Sequence, residues 1–196
     1  MKTRLIRRAF CLSALCLCTL SARASGPATD KTDAGTDLNT IATLDVPRYM
    51  GSWYEIAKFP NWFQRKCSSD TRADYSLQPE GKLQVTNRCK QANGEISEVI
   101  GAARQVGPAN SPKLKVRFAP AWLSFIPAVW GNYWIIDLDA DYQLAAISEP
   151  SRQYLWVLSR TPQVNQQAYA ALLERLNKQG FDVRKLETTP QGGAQN

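Results

Sequence analysis

Between residues 53 and 160, apolar and polar side chains alternate in short runs, and the runs are separated by Gly, Pro, Asn and Asp. A period of two puts one face of a segment on a core and the other in water, which predicts antiparallel β-strands. The runs fall at 53–59, 70–77, 83–90, 96–106, 114–119, 132–138, 143–148 and 154–160. In 114–119 the pattern is plain, with Leu114, Val116 and Phe118 on one face and Lys115 and Arg117 on the other. The breaks carry turn chemistry, as at Pro79-Glu80-Gly81, Gly107-Pro108 and Glu149-Pro150-Ser151. Asn93-Gly94 is the strongest hairpin signal, because both residue types tolerate the positive φ of tight hairpin turns.

The period then changes. Val164, Ala168, Leu172, Leu173 and Leu176 recur at helical spacing over 164–178, and Gly180 stands where a C-terminal cap belongs. A helix with one apolar face docks on a sheet. Consecutive strands with short links, followed by one helix, predict an all-β fold: an eight-stranded antiparallel up-and-down barrel with a C-terminal α-helix on its outside. Closure removes both exposed sheet edges, whereas a β-sandwich, the rival arrangement, would use longer crossover links. A barrel of this size is just wide enough to hold one small ligand.

The chain ahead of the strands is different. Lys2, Arg4, Arg7 and Arg8 precede an apolar run over 9–20, and Ala22-Arg23-Ala24 has a small-x-small pattern. That run is well short of the ~20 apolar residues a membrane span needs, so residues 1–24 read as a secretory signal peptide. Residues 25–40, "SGPATDKTDAGTDLNT", are small, polar and aperiodic, and are expected to form a flexible linker. The folded domain is expected over 41–188, with 189–196 as a disordered tail.

Charge and cysteine usage follow from that division. The leader holds five of the 24 Lys and Arg residues and no acid, which leaves 19 basic against 17 acidic residues, a net charge of +2. With no clustered basic stripe, a nucleic-acid partner is not expected. Cys11, Cys16 and Cys18 lie in the leader, and Cys16 and Cys18 each follow a Leu, where a lipoprotein signal would place a small residue. Soluble export is therefore expected ahead of lipid anchoring. Cys67 and Cys89 remain as an even pair, and in an oxidising compartment a disulfide is favoured over two free thiols.

The chain contains no His, so a Ser-His or Cys-His nucleophilic pair cannot be built. A metal site would have to draw on two Cys and carboxylates, a poor set for a transition metal. Asp137, Asp139 and Asp141 cluster at a turn but lack the Gly and distant Glu of an EF-hand loop, and read as a solvated turn. No metal, no cofactor and no catalysis are expected.

Three blocks, in order, resemble the lipocalin family: "GSWYEIAKFP" from Gly51, "DLDADY" from Asp137, and "YLWVLSRTP" from Tyr154. The similarity runs over about 44–186 and is nearest to bacterial and apolipoprotein-D-like lipocalins. The resemblance implies a barrel that binds and carries or stores a small hydrophobic ligand, a fatty acid or lysophospholipid, in the cell envelope. The implied location is the periplasm, with association to the outer membrane. It also implies a closed end at which Arg160 lies over Trp53, a contact worth ~0.5–2 kcal/mol. There residues 41–51 plug the base, and Gly51 lets the plug turn into the first strand.

That topology puts the links after strands one, three, five and seven at the open end. Two of them are apolar: the first carries Trp62 and Phe63, the third Trp122, Phe125 and Trp130. Parity from Trp53 points Glu55, Ala57 and Phe59 into the lumen, and parity from Arg160 points Tyr154, Trp156 and Leu158 inward. Tyr75, Val85, Asn87, Leu114, Val116, Phe118, Tyr133 and Ile135 follow from alternation as further lumen residues. Glu55 has two destinations on this reading, a ligand headgroup reached through water or a neighbouring Tyr. The expected partners are a small hydrophobic ligand and a membrane surface, with the chain as monomer or homodimer. The alternatives are an apolar mouth that docks protein or membrane, and turnover of a bound lipid.

Overall fold

The computed structural model describes residues 38–192. The alternating runs there form β1 (Gly51–Lys58), β2 (Cys67–Leu77), β3 (Leu83–Gln91), β4 (Ile96–Gln105), β5 (Lys113–Arg117), β6 (Gly131–Leu138), β7 (Leu144–Ser148) and β8 (Leu155–Ser159). Each strand pairs antiparallel with the next, and β1 pairs with both β2 and β8, so the sheet closes into a barrel. The expected signal peptide, 1–24, the expected linker as far as residue 37, and residues 193–196 lie outside the described residues.

Two of the interruptions in register bear on the candidate lumen residues. β1 against β8 shifts between Glu55 and Ala57, and β6 against β7 shifts between Ile135 and Asp137. One extra residue in a strand sends the side chains beyond it to the opposite face. Trp53 and Glu55 therefore face inward, but Ala57 and Phe59 do not: both join the apolar cluster outside the barrel. Their expected place in the lumen is corrected by this bulge. Phe59 packs edge-on to Phe181, with ring centres 6.3 Å apart.

The outer cluster is the seat of α2 (Gln166–Lys178). Asn165 caps its start by accepting from the Ala168 N–H at 3.0 Å. At the other end Gly180 has φ +88° and the Phe181 N–H returns to the Leu176 carbonyl at 3.1 Å, a Schellman closure. Leu172 and Leu176 bury against Ile136, Ala146, Leu155 and Val157 on the outer face of β6–β8. Arg175 adds a two-pronged pair to Asp137 at 2.7 and 2.8 Å. Leu38 is buried in the same cluster, so packed chain begins within the stretch expected as linker.

The stretch expected as a disordered tail is also ordered as far as it is described. β9 (Glu187–Thr188) pairs antiparallel with Ala57 and Lys58 of β1. β1 and β2 pair only as far as Tyr54 and Arg72, and the residues after β9 bridge the seam beyond. The Thr189 N–H bonds the Ile56 carbonyl at 2.9 Å, and the Asp70 N–H bonds the Pro190 carbonyl at 2.8 Å. The Gln191 amide donates to the carbonyls of Glu55 and Thr71, at 2.7 and 3.1 Å, one on each strand. Unpaired strand edges would otherwise leave these groups unsatisfied, which is the physical reason that 189–192 dock instead of fraying.

Candidate functional site

The closed end is built from the segment before β1. Asp45 accepts from the Arg48 N–H at 3.2 Å and starts a single helical turn, α1 (Val46–Tyr49), with Pro47 in its first turn. The turn drives Tyr49 up into the barrel, where its ring lies 4.9 Å from Trp53 and 5.6 Å from Tyr75. The Trp53 indole N–H returns to the Tyr49 carbonyl at 2.8 Å. Arg160 lies 4.0 Å over the Trp53 ring and donates to the carbonyls of Ser52, Arg48 and Tyr142 at 3.0, 2.6 and 3.2 Å. Gly51 has φ +94°, and a Cβ there would stand 3.3 Å from the Arg160 Nη1, so this turn needs Gly.

Above the plug, the inward residues form a layered lumen. Tyr75, Leu83, Val85, Ala103, Leu114, Ile135, Ala145, Ile147 and Leu158 are buried with Tyr49 and Trp53 in one cluster and make the floor. Toward the mouth, burial gives way. By register, Asn87, Val99 and Phe118 face inward with Val85 and Gly101, yet Val99 is 43% and Phe118 39% exposed. Val116, Tyr133, Trp156 and Asn87 are half-buried. Tyr133 is the register partner of buried Leu114 and bonds Tyr75 and Tyr49, which sets it on the inner face, and burial raises its hydroxyl pKa well above the usual range. The inner face is thus buried at the floor and keeps accessible surface toward the mouth.

The floor carries three hydroxyls. Tyr75 donates to the Tyr133 oxygen at 2.8 Å, and Tyr133 and Tyr49 share a second bond of 2.8 Å. Burial raises the pKa of Tyr49 and Tyr75 as well, so all of them are neutral at physiological pH. Higher on the wall, Glu55 is only 3% exposed. Its carboxylate accepts from the Gln64 amide at 2.7 Å and the Thr189 hydroxyl at 2.6 Å. Burial raises its pKa, against the opposing pull of those bonds and of Lys58. The partners of Glu55 are thus the first mouth link and the C-terminal strap, neither of the destinations expected from parity.

The mouth is formed by the links after β1, β3, β5 and β7. Trp62 and Trp122 are each 72% exposed and Phe125 77%. Phe63 is part rim, part wall: it meets Tyr154 at 5.5 Å and Trp156 at 6.2 Å. Gln64 holds this link down, accepting from the Trp156 indole N–H at 2.9 Å while it donates to Glu55. Trp130 is less free than its neighbours, with Arg104 4.2 Å over its ring and its indole N–H on the Ser124 carbonyl at 2.8 Å. The Cys67–Cys89 disulfide, Cα atoms 5.5 Å apart, ties β2 to β3 near this end. A separate concavity of about 450 Å³ on the outer wall is lined by Tyr54, Arg72, Arg88 and Gln191. Its arginines are engaged with Asp74 and Glu98.

The structure thus gathers the lumen candidates Tyr75, Val85, Asn87, Val116, Phe118, Tyr133, Ile135, Trp156 and Leu158 on one inner surface and moves Phe59 outside. Sequence reading missed Tyr49 as part of the floor, and Gln64 and Thr189 as partners of Glu55. Tyr49 lies in the recognised plug, but its upward reach comes from the turn at Asp45-Val46-Pro47, which alternation does not report. Gln64 and Thr189 are polar residues in irregular chain and leave no periodic signal.

A closed eight-stranded barrel, plugged at one end and open at the other with a helix outside, defines the lipocalin class. The family model described as a lipocalin-like domain matches residues 44–191, and the chain belongs to that family. It is 45% identical over 157 residues to temperature-induced lipocalin-1 of Arabidopsis thaliana, covering 79% of this chain and 83% of that protein. It is 35% identical over 158 residues to the outer membrane lipoprotein Blc of Citrobacter freundii, covering 80% and 85%. Apolipoprotein D of Mus musculus is 31% identical over 154 residues, covering 76% and 77%. Among solved structures, insecticyanin of the tobacco hornworm Manduca sexta superposes with a TM-score of 0.59 at 18% identity, covering 78% of this chain and 84% of that one. At that identity the likeness concerns the fold.

Proposed function

We propose that this protein binds a small hydrophobic ligand in the barrel, a single-chain lipid such as a fatty acid or lysophospholipid, and carries or stores it in the cell envelope. The observation that carries the reading is the accessible inner wall: Val99, Phe118, Val116 and Trp156 face the lumen and keep surface above a buried floor. Membership of the lipocalin family supports a small hydrophobic ligand, and the Blc name of the bacterial relatives supports an envelope address. Each methylene removed from water contributes ~0.8 kcal/mol, so a dozen give roughly 10 kcal/mol. Association and ordering cost several of those, which leaves an affinity of about micromolar.

Binding without catalysis is favoured by the groups on hand. The chain has no His, and Cys67 and Cys89 are spent on each other. The testing experiment titrates delipidated protein with fatty acids and lysophospholipids of increasing length, followed by Trp fluorescence. Saturable binding that strengthens with length and weakens in Trp156→Ala is expected, and no response to any chain length would overturn the reading.

A second reading concerns delivery. Trp62, Trp122 and Phe125 crown the mouth with most of their surface in water, and exposed Arg65 and Lys66 follow Trp62 on the first link. Indole and phenyl rings next to cations suit the interface of an anionic bilayer, so the mouth is the end that meets a membrane.

A further inference from the structure

β4 has ten residues and β5, the strand that follows it, has five. On one side β3 accompanies β4 without a break, from the Leu83–Ala103 pair to the Lys90–Ile96 pair. On the other side β5 pairs only with 102–105. The parting has a local cause. The Phe118 Cδ1 stands 2.6 Å from where a Cβ on Gly101 would be, and Pro120 has no N–H with which to extend the ladder. Among the described residues no other strand or loop bonds the backbone of 96–101. Every second residue there presents its N–H and C=O on a free edge.

That edge is apolar as well as unpaired. Ile96 and Ile100 on the outer face are 64% and 56% exposed, and Val99 on the inner face is 43% exposed. Native sheets blunt such edges with Lys, Pro, a bulge or a covering segment. The stretch Ile-Ser-Glu-Val-Ile-Gly has neither Lys nor Pro, its register against β3 is unbroken, and its exposure shows that nothing covers it. Its one charge, Glu98, is drawn onto Arg88 of β3 at 2.5 Å.

A second copy of the same edge fits it. In an antiparallel pair related by a two-fold, opposed residues share a face, so the axis passes through a residue. An axis through Glu98 would oppose two like charges, which is destabilising. An axis through Val99 sets that residue against its own copy, Glu98 against the partner's Ile100 and Ser97 against the partner's Gly101. No charges are then opposed, and the pairing stops where β5 takes over the edge. Segments of the same chain are poorer occupants. Residues 187–191 are engaged at the seam of β1 and β2, and 25–37 contain no large apolar residue.

We propose that the protein self-associates through the free edge of β4, as a two-fold dimer with Val99 on the axis. The edge lies in the barrel wall, so each copy keeps its own mouth, and antiparallel pairing points the two mouths in opposite directions. The pairing does not depend on what the barrel holds.

Sedimentation velocity from about 1 µM to about 300 µM tests it, because so short an edge makes a weak interface. A dimer that grows with concentration is expected. Ile100→Glu opposes like charges twice by symmetry and is expected to weaken the dimer at least tenfold. Its urea midpoint should hold, since the side chain stands in water on the outer face. A second pair of variants reads the register without altering charge. Val99→Cys meets its own copy with Cα atoms ~4.5–5.5 Å apart, within disulfide range, whereas Ile100→Cys stands roughly 7–8 Å from its counterpart. Mild oxidation is expected to trap the Val99→Cys dimer at least tenfold faster, and this comparison decides if Ile100→Glu folds poorly. A monomer at every concentration overturns the proposal. So does a dimer that a folded Ile100→Glu leaves unchanged, or one that the two cysteines trap equally.

Discussion

Glu55 holds a carboxylate in the wall of an apolar barrel, and its burial raises the pKa despite donors from Gln64 and Thr189. An acid whose folded pKa lies above its unfolded value binds more protons folded than unfolded between the two. Stability therefore falls as pH rises through that window, being fully present below the unfolded pKa and lost above the folded one. Glu55→Gln removes the titration. Its stability relative to the unaltered protein is expected to improve steadily from the ordinary Glu range upward through the raised pKa, then level off. Urea midpoints across a pH series check this, and parallel curves for the two proteins would sink it. Gly51 answers to backbone geometry instead. At φ +94° with Arg160 Nη1 already 3.3 Å from where a Cβ would sit, Gly51→Ala should lose about 1–3 kcal/mol. Urea unfolding measures it directly, and an unchanged midpoint would mean that the turn relaxes freely.

Among the elements, legibility tracked hydrophobic period. The strand runs and the helix were readable because a buried face repeats every two or every 3.6 residues. The bulge in β1 was not, since Ile56 and Ala57 are both apolar and the run reads smoothly through the point where the register shifts. That one irregularity misplaced Phe59. Residues 187–191, Glu-Thr-Thr-Pro-Gln, have no apolar member to show a period. They bind by hydrogen bonds across a seam that exists only once β1 and β2 separate, so no local pattern announces them. In the candidate site, the same logic made Tyr75, Val85, Ile135 and Leu158 legible as inward residues and hid Gln64 and Thr189. Ending the chain at residue 186 tests the strap. Several buried bonds worth about 0.5–1.5 kcal/mol each would go, while the Lys58–Glu187 pair, long at 3.4 Å and with its Glu exposed, adds little. A loss of roughly 2–4 kcal/mol in urea is expected on that bond count, with faster hydrogen exchange at the Asp70 amide, whose acceptor is the Pro190 carbonyl. Unchanged exchange there would show that the seam stays shut by itself.

Taken whole, the molecule is asymmetric along the barrel axis, and each end excludes the role of the other. At the base, Tyr49, Trp53 and Arg160 close the barrel with ring contacts and backbone acceptors. At the mouth, Trp122 and Phe125 stand in water on a link that is held by its own short turns and by the contacts of Trp130, none of which covers these two rings. Exposed aromatic rings carry an aggregation cost unless something receives them. On the proposed function, a rim that enters a bilayer interface accounts for both the exposure and its confinement to the open end. Trp122→Ser with Phe125→Ser separates the rim from the cup. Each ring buried in the interface contributes about 1.5–3 kcal/mol at most, so partition into anionic vesicles should fall roughly tenfold to a hundredfold. Fatty-acid binding in solution should stay within about threefold, because neither ring belongs to the inner wall. Equal loss of both activities would make the rim part of the cup. Unchanged partition together with a shift from dimer to monomer would identify the rim as a contact between copies of the chain.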